Sequence, residues 1–334
     1  MLRLISYSIL FYFLVPFVYT GHAQINNLVH PEGYQAALYG SLGKVEKFGN
    51  GPKDMLMIAG WGFGGNIFEN FKADSLGSKY TMYVVTLPGF GGTQAYPMPD
   101  QNDVYHDLYW TAGIISGIKE LLEKEEIDNP VLLSYFTYSN ILAMRIALDY
   151  PELIDRVIII SGMAKFTTMY PSFEPASLEE RIYYTEKVIA QNWWKEIDKQ
   201  GWDNGNFSAE TFTKDSVKAA QYWKQMSNIP IPIMVRYLLE YYCTDLSLEY
   251  KNLQVPTLVI MPSFNREILI KPKNTFLSHS FHQSWWGANP SNPNFHLMTI
   301  TDSRAFILDD RPKELIDAVN LFVMEKLSPY DIQR

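Results

Sequence analysis

Two hydroxyl side chains, Thr137 and Ser139, sit in the turn of the stretch VLLSYFTYSNILAMRIALDYP at residues 131–151. A hydroxyl placed there could attack a carbonyl and carry an acyl group, the chemistry of ester hydrolysis. At its ordinary pKa such a hydroxyl is a weak nucleophile. It needs an adjacent base, and the base needs an acid to orient it. His106, His279, His282 and His296 are the available bases, and Asp245, Glu267, Asp302, Asp309 and Asp310 the available acids. No local motif ties any of them to the turn. His106 precedes a helix, His279 and His282 fall in a connection, and His296 begins a strand. Each reads more simply as a packed or solvated side chain.

The elements that must position these groups are legible as apolar runs. Residues 34–48, YQAALYGSLGKVEKF, read as a hairpin pair. Strands follow at DMLMIAG (54–60), YTMYVVT (80–86), the start of the opening stretch, RVIIISG (156–162), PTLVIM (256–261) and HLMTITD (296–302). Helices fall at about residues 107–125, after the turn at 135–140, and at 312–326. Continuous Val, Ile and Leu runs alternating with helices predict a mostly parallel sheet covered on both faces. The fold class is therefore α/β. Residues 163–249 break the alternation: Leu178, Ile182, Ile189, Trp193 and Ile197 recur at helical spacing, and Pro171, Pro175, Pro230 and Pro232 punctuate the stretch. This is expected to be a helical cap inserted over the carboxyl edge of the sheet, with 24–162 and 250–334 as the core.

The 334 residues are 47% apolar and 19% charged, a globular composition. A net charge of −8 without a basic stretch argues against nucleic acid as a partner. Residues 1–23 have an early cation at Arg3, an apolar run, and Gly21 and Ala23 before Gln24. They predict a secretory signal peptide cleaved after Ala23, with an uncleaved anchor as the alternative. The expected location is secreted or periplasmic. The lone Cys243 cannot form a disulfide within the chain, so the exported protein must rest on its core alone.

Taken in order, the motifs resemble those of the α/β-hydrolase superfamily over most of residues 34–326. IAGWGFGG is similar to the oxyanion loop after the third strand, and VVTLPGFGGT to the Leu-Pro-Gly-Phe-Gly signature after the next. ILAMRIALDYPELIDRVIIISG is similar to the nucleophile helix and the strand beyond it. LQVPTLVIMPSFN and DSRAFILDDRPKEL are similar to the segments bearing the acid and the histidine. The resemblance implies an α/β-hydrolase fold and, in its active members, a serine, an acid and a histidine acting as a unit.

Carried over residue by residue, the resemblance places the nucleophile at Thr137, counting back from Tyr150-Pro151. Tyr135 and Ser139 stand where the elbow glycines belong, Asn265 where the acid belongs, and Ala305 where the histidine belongs; Ser161 marks an alternative acid site. Alanine cannot accept a proton, so an acid there has nothing to orient. The expectation is a triad lost at all three positions. Gly60, Trp61, Phe136 and Tyr138 remain to build an oxyanion-like pocket, which could hold a hydrophobic small molecule or be filled by its own aromatic side chains. No cofactor or metal enters this expectation. The competing readings are an active esterase using Thr137 or Ser139, and a module whose pocket is irrelevant.

Overall fold

The computed structural model describes residues 35–72, 76–98, 104–166, 176–191, 209–269, 277–278, 280–282, 284–285 and 292–325. The expected signal peptide and its cleavage after Ala23 lie outside these residues.

Eight strands form one sheet in the order β1-β2-β4-β3-β5-β6-β7-β8. β1 (Gln35–Tyr39) and β2 (Gly43–Phe48) make the antiparallel hairpin, and β2 also runs antiparallel to β4 (Tyr80–Thr86). From β4 onward neighbours are parallel: β3 (Lys53–Ala59), β5 (Val131–Tyr135), β6 (Arg156–Ile160), β7 (Thr257–Ser263) and β8 (Phe295–Thr301). All of β5 and β6 is buried, as strands covered on both faces must be. The edge strand β8 is mostly half-buried.

Short helices α1 (Glu69–Lys72) and α2 (Leu76–Lys79) lead into β4. The long connections carry α3 (Tyr109–Lys124) and α4 (Ser139–Asp149) before β5 and β6. Between β6 and β7 lie α5 (Leu178–Tyr184), a π-helical turn (Thr185–Ile189), α6 (Ser216–Ser227) and α7 (Ile231–Tyr242). Ser177 and Glu180 close α5 with a capping box, and Asp215 caps α6 through the N–H groups of Val217 and Lys218. α8 (Ile307–Asp310) and α9 (Pro312–Val323) complete the described chain.

α7 is buried from Met234 to Tyr242, including Arg236 and Glu240. A helix apolar on nearly every side must be enclosed, and this one lies across the ends of the sheet loops. Trp61 Nε1 donates to Met234 O at 3.0 Å, Tyr237 Oη to Pro88 O at 2.9 Å, and Tyr241 Oη to Met163 O at 2.9 Å. These bonds tie one helix to the loops after β3, β4 and β6.

Candidate active site

The register of the sheet brings the chemistry-bearing positions to one edge. Tyr135, the last residue of β5, pairs with Ala59 on β3 and Ile160 on β6. Gly60, Phe136-Thr137 and Ser161 therefore emerge side by side. Phe136 N donates to Ile160 O at 2.9 Å and Thr137 N to Ser161 O at 3.1 Å, fastening the turn to the end of β6. Phe136 (φ 75°), Thr137 (φ 55°) and Ser161 (φ 52°) are all left-handed. Bulky and β-branched residues avoid that region, so the surrounding structure must impose it. The backbone is a tight elbow without the glycines that usually relieve one. The strand expected over 156–162 stops at Ile160 because Ser161 turns there.

The hydroxyls do not point toward a base. Thr137 is buried, and its Oγ1 has no hydrogen-bond partner among the described residues. Ser139 Oγ turns back to Phe136 O at 3.4 Å. Asn265 Oδ1 accepts the N–H of Ile268 at 3.4 Å and closes a turn beyond β7. Ala305 is fully buried; its N–H donates to Thr211 O at 3.1 Å and its carbonyl accepts Ser161 Oγ at 2.5 Å. Among the described histidines, His106 bonds Glu186, His282 Nε2 meets Pro262 O at 2.9 Å, and His296 packs against Phe322. His279 lies outside the described residues.

Aromatic rings occupy the space around the elbow. Phe306, next to Ala305, contacts Phe63, Phe136, Phe212 and Tyr222 with ring centroids 5.0, 5.2, 5.4 and 4.6 Å away. Phe63 also meets Phe136 at 5.8 Å and Phe212 at 5.7 Å. Most are edge-to-face, the arrangement that aromatic quadrupoles favour. Tyr135 joins from below at 5.4 Å from Phe306, with its hydroxyl accepting the Leu308 N–H at 3.1 Å. Burial holds that phenol far above its ordinary pKa.

The cap contributes Phe212 and Tyr222 to this cluster, and two carboxylates fasten them. Asp310 accepts Thr213 Oγ1 at 2.7 Å and the N–H groups of Lys214 and Arg304 at 2.8 and 2.7 Å. Asp309 accepts Tyr222 Oη at 2.7 Å and Lys218 Nζ at 2.8 Å. Thr211 and Phe212 accept backbone N–H bonds from Ala305 and Phe306 at 3.1 and 2.7 Å, so the cap segment is stitched to this loop.

Tyr138 faces a second buried network. Its hydroxyl meets Thr111 Oγ1 at 2.5 Å and Glu240 Oε2 at 3.3 Å. Glu240 also accepts Thr111 Oγ1 at 2.7 Å and the first free N–H groups of α3, Trp110 at 2.8 Å and Thr111 at 2.9 Å. Arg236 pairs with it at 2.8 Å, and both side chains are fully buried. A carboxylate at a helix N-terminus is the favoured placement of that charge.

A further tie crosses the rim. Glu186, on the π-helical turn, accepts His106 Nδ1 and the Tyr105 N–H, both at 2.8 Å. Partial burial pushes its carboxyl up, but these bonds outweigh burial and hold its pKa below 4.5. A depressed carboxyl stabilises the fold above its unfolded pKa and loses that contribution as pH falls through the folded value. Glu186→Gln is therefore expected to destabilise the protein at pH 7. The gap from wild type, measured by urea unfolding, should narrow steadily as pH falls from about 5 to about 3.

Thr137 and Ala305 both meet Ser161 at the end of β6, but the sequence says little about the rings packed nearby. Phe63, Phe212, Tyr222 and Phe306 come from four separate segments; Phe63 lies in the glycine-rich loop and Phe306 beside Ala305, and Phe212 and Tyr222 carried no such signal. Glu240 and Arg236 were visible as an i,i+4 pair of opposite charges inside the apolar run IMVRYLLEYY.

No family model matches the chain. Curated relatives are pimeloyl-[acyl-carrier protein] methyl ester esterases. That of Aeromonas hydrophila is 27% identical over 136 residues, covering 40% of this chain and 48% of the relative. That of Chromobacterium violaceum is 38% identical over 60 residues, 18% of this chain and 23% of the relative. The chain spans about half the length, or less, of the curated relatives it matches. Solved structures match more of it. An enol-lactonase from Burkholderia xenovorans LB400 superposes with a TM-score of 0.61 at 12% identity, covering 87% of this chain and 100% of that one. A thermophilic esterase from Thermogutta terrifontis superposes with a TM-score of 0.58 at 14% identity, covering 88% and 99%. The chain has the α/β-hydrolase fold, as its strand order and these structures agree. The esterases among its relatives agree with the α/β-hydrolase superfamily that its motifs resemble.

Proposed function

We propose that this is an exported α/β-hydrolase-fold protein that does not hydrolyse esters and at most binds a hydrophobic small molecule or partner. One observation carries the reading: the position expected to hold the base is a fully buried alanine, next to Phe306, whose ring packs against Phe136 and Phe212. A proton acceptor has no room there, and among the described residues the Thr137 hydroxyl has no partner to activate it. Thr137, Asn265 and Ala305 are then the vacated triad positions, and Gly60, Trp61, Phe136 and Tyr138 belong to a filled pocket. Losing a triad costs about 10⁶-fold in turnover, because its members act as a unit. The leader-like residues 1–23 support export.

The rival reading, an esterase using Thr137 or Ser139, draws on the left-handed elbow, with Thr137 at φ 55°, and on the esterase relatives. Hydrolysis of short p-nitrophenyl and methyl esters by the purified chain separates the two. We expect rates equal to buffer and to a Thr137→Ala variant. Turnover well above buffer that vanishes in Thr137→Ala would overturn the proposal.

A further inference from the structure

We infer that the groove between α3 and α4 is a binding site for a small amphipathic carboxylate, with Lys119 receiving its charge. The groove encloses about 390 Å³, within the range of ordinary ligand sites. It lies along the outer wall of the core and takes no part in the aromatic cluster, so the inference stands whether or not the elbow hydrolyses esters.

Its floor is one face of α3. Within the helix Ala112, Ile115 and Lys119 are spaced three and four residues apart, which aligns them on one stripe, and Leu108 precedes them at the N-cap. At 1.5 Å per residue that stripe is about 10 Å long. Ala112 and Ile115 make it apolar, Thr111 and Ser116 flank it, and it ends in an ammonium. Arg145 and Tyr150 line the charged end.

The charges there are spent unequally. Arg145 Nη2 pairs with Glu249 at 2.5 Å and Nη1 lies 3.9 Å from Asp149, so the guanidinium and both acids are engaged. Asp107 accepts the Tyr109 N–H at 3.3 Å. Lys119 Nζ lies 4.0 Å from the centre of the Tyr150 ring and has no carboxylate within ion-pair distance among the described residues. A lysine held over an aromatic ring at the end of an apolar stripe presents a fixed positive charge to an anionic head with an apolar tail. At the other end Leu108 is left-handed, at φ 53°, a strained setting for a branched residue. Such strain gathers at ligand clamps. A carboxylate suits the site because one ammonium, steadied over the Tyr150 ring, meets one small anion, and the tail would cover the half-buried Leu108 and the exposed Ala112.

The test uses the full chain and a dansyl-labelled fatty acid as fluorescent probe. We expect a saturable signal, displaced by decanoate and displaced about tenfold more weakly by decanol, a difference of about 1.4 kcal/mol. Lys119→Gln should weaken decanoate about tenfold and leave decanol unchanged, whereas Lys119→Arg should retain decanoate binding. Ala112→Trp fills the floor and should abolish the signal, with the Lys119 pair answering if that variant does not fold. No saturable binding by the wild type, equal displacement by decanoate and decanol, or unchanged affinity in Lys119→Gln would each overturn the inference.

Discussion

Glu240→Ala is expected to lower the unfolding free energy by about 3–5 kcal/mol, read as a lower urea midpoint. The carboxylate is fully buried and accepts from Arg236, Thr111 Oγ1, Tyr138 and two backbone N–H groups of α3. Truncation leaves the Arg236 guanidinium buried without a counter-charge, above the rings of Tyr105 and Trp110. An abandoned charge of this kind is costlier than the pair is stabilising. The double variant Arg236→Met/Glu240→Leu should therefore lose less than Glu240→Ala alone, even though it changes more atoms. Glu240→Gln should fall between, since an amide oxygen can still accept the α3 N–H groups. A Glu240→Ala midpoint within about 0.5 kcal/mol of wild type would mean that solvent reaches the network.

The expected consequence extends to the elbow. Tyr138 follows Thr137 directly, and its hydroxyl is held by the same carboxylate that anchors α7 to α3. Trp61, Tyr237 and Tyr241 hold that helix to three sheet loops. Four polar ties along a single buried helix make this part of the cap a fixed cover. The carboxylates of Asp309 and Asp310 do the same for the segment carrying Phe212 and Tyr222. The carboxylates that follow Ala305 in the chain serve to fasten the cap.

The strands were legible because burial on both faces writes continuous apolar runs, as in VLLSY and RVIII. The elbow was legible by counting from Tyr150-Pro151, because helix length fixes where the turn must fall. What stands above the elbow was not. Phe63, Phe136, Phe212 and Phe306 look like any core phenylalanines in sequence, and their meeting depends on loops from separate parts of the chain. Periodicity reports which face of an element is apolar; it does not report which distant ring fills the gap. A pocket lined by aromatics and one filled by them therefore have the same sequence pattern. The tie between His106 and Glu186 was hidden for the same reason, since it joins a loop to a π-helical turn 80 residues away.

Gly60→Ala should cost at least about 3 kcal/mol, the upper end of what overpacking usually costs, or prevent folding. An added Cβ would stand 2.2 Å from Phe136 O and 2.3 Å from Tyr135 O. Those are backbone atoms, so no rotamer change relieves the contact. Nor can the turn retreat. Phe136 N and Thr137 N are bonded to the end of β6, and the Phe136 ring is packed against Phe63 and Phe306. Gly40→Ala is the matched control, because a Cβ at that exposed position meets nothing within 4 Å. It should melt within about 0.5 kcal/mol of wild type. Equal urea midpoints for the two variants would show that the elbow can yield, and with it the argument that its geometry is imposed. If Gly60→Ala is as damaging as expected, Gly60 is required by how closely β3 approaches the elbow, whatever chemistry the elbow does. A glycine in the oxyanion loop is then no evidence of hydrolysis, because packing alone demands it.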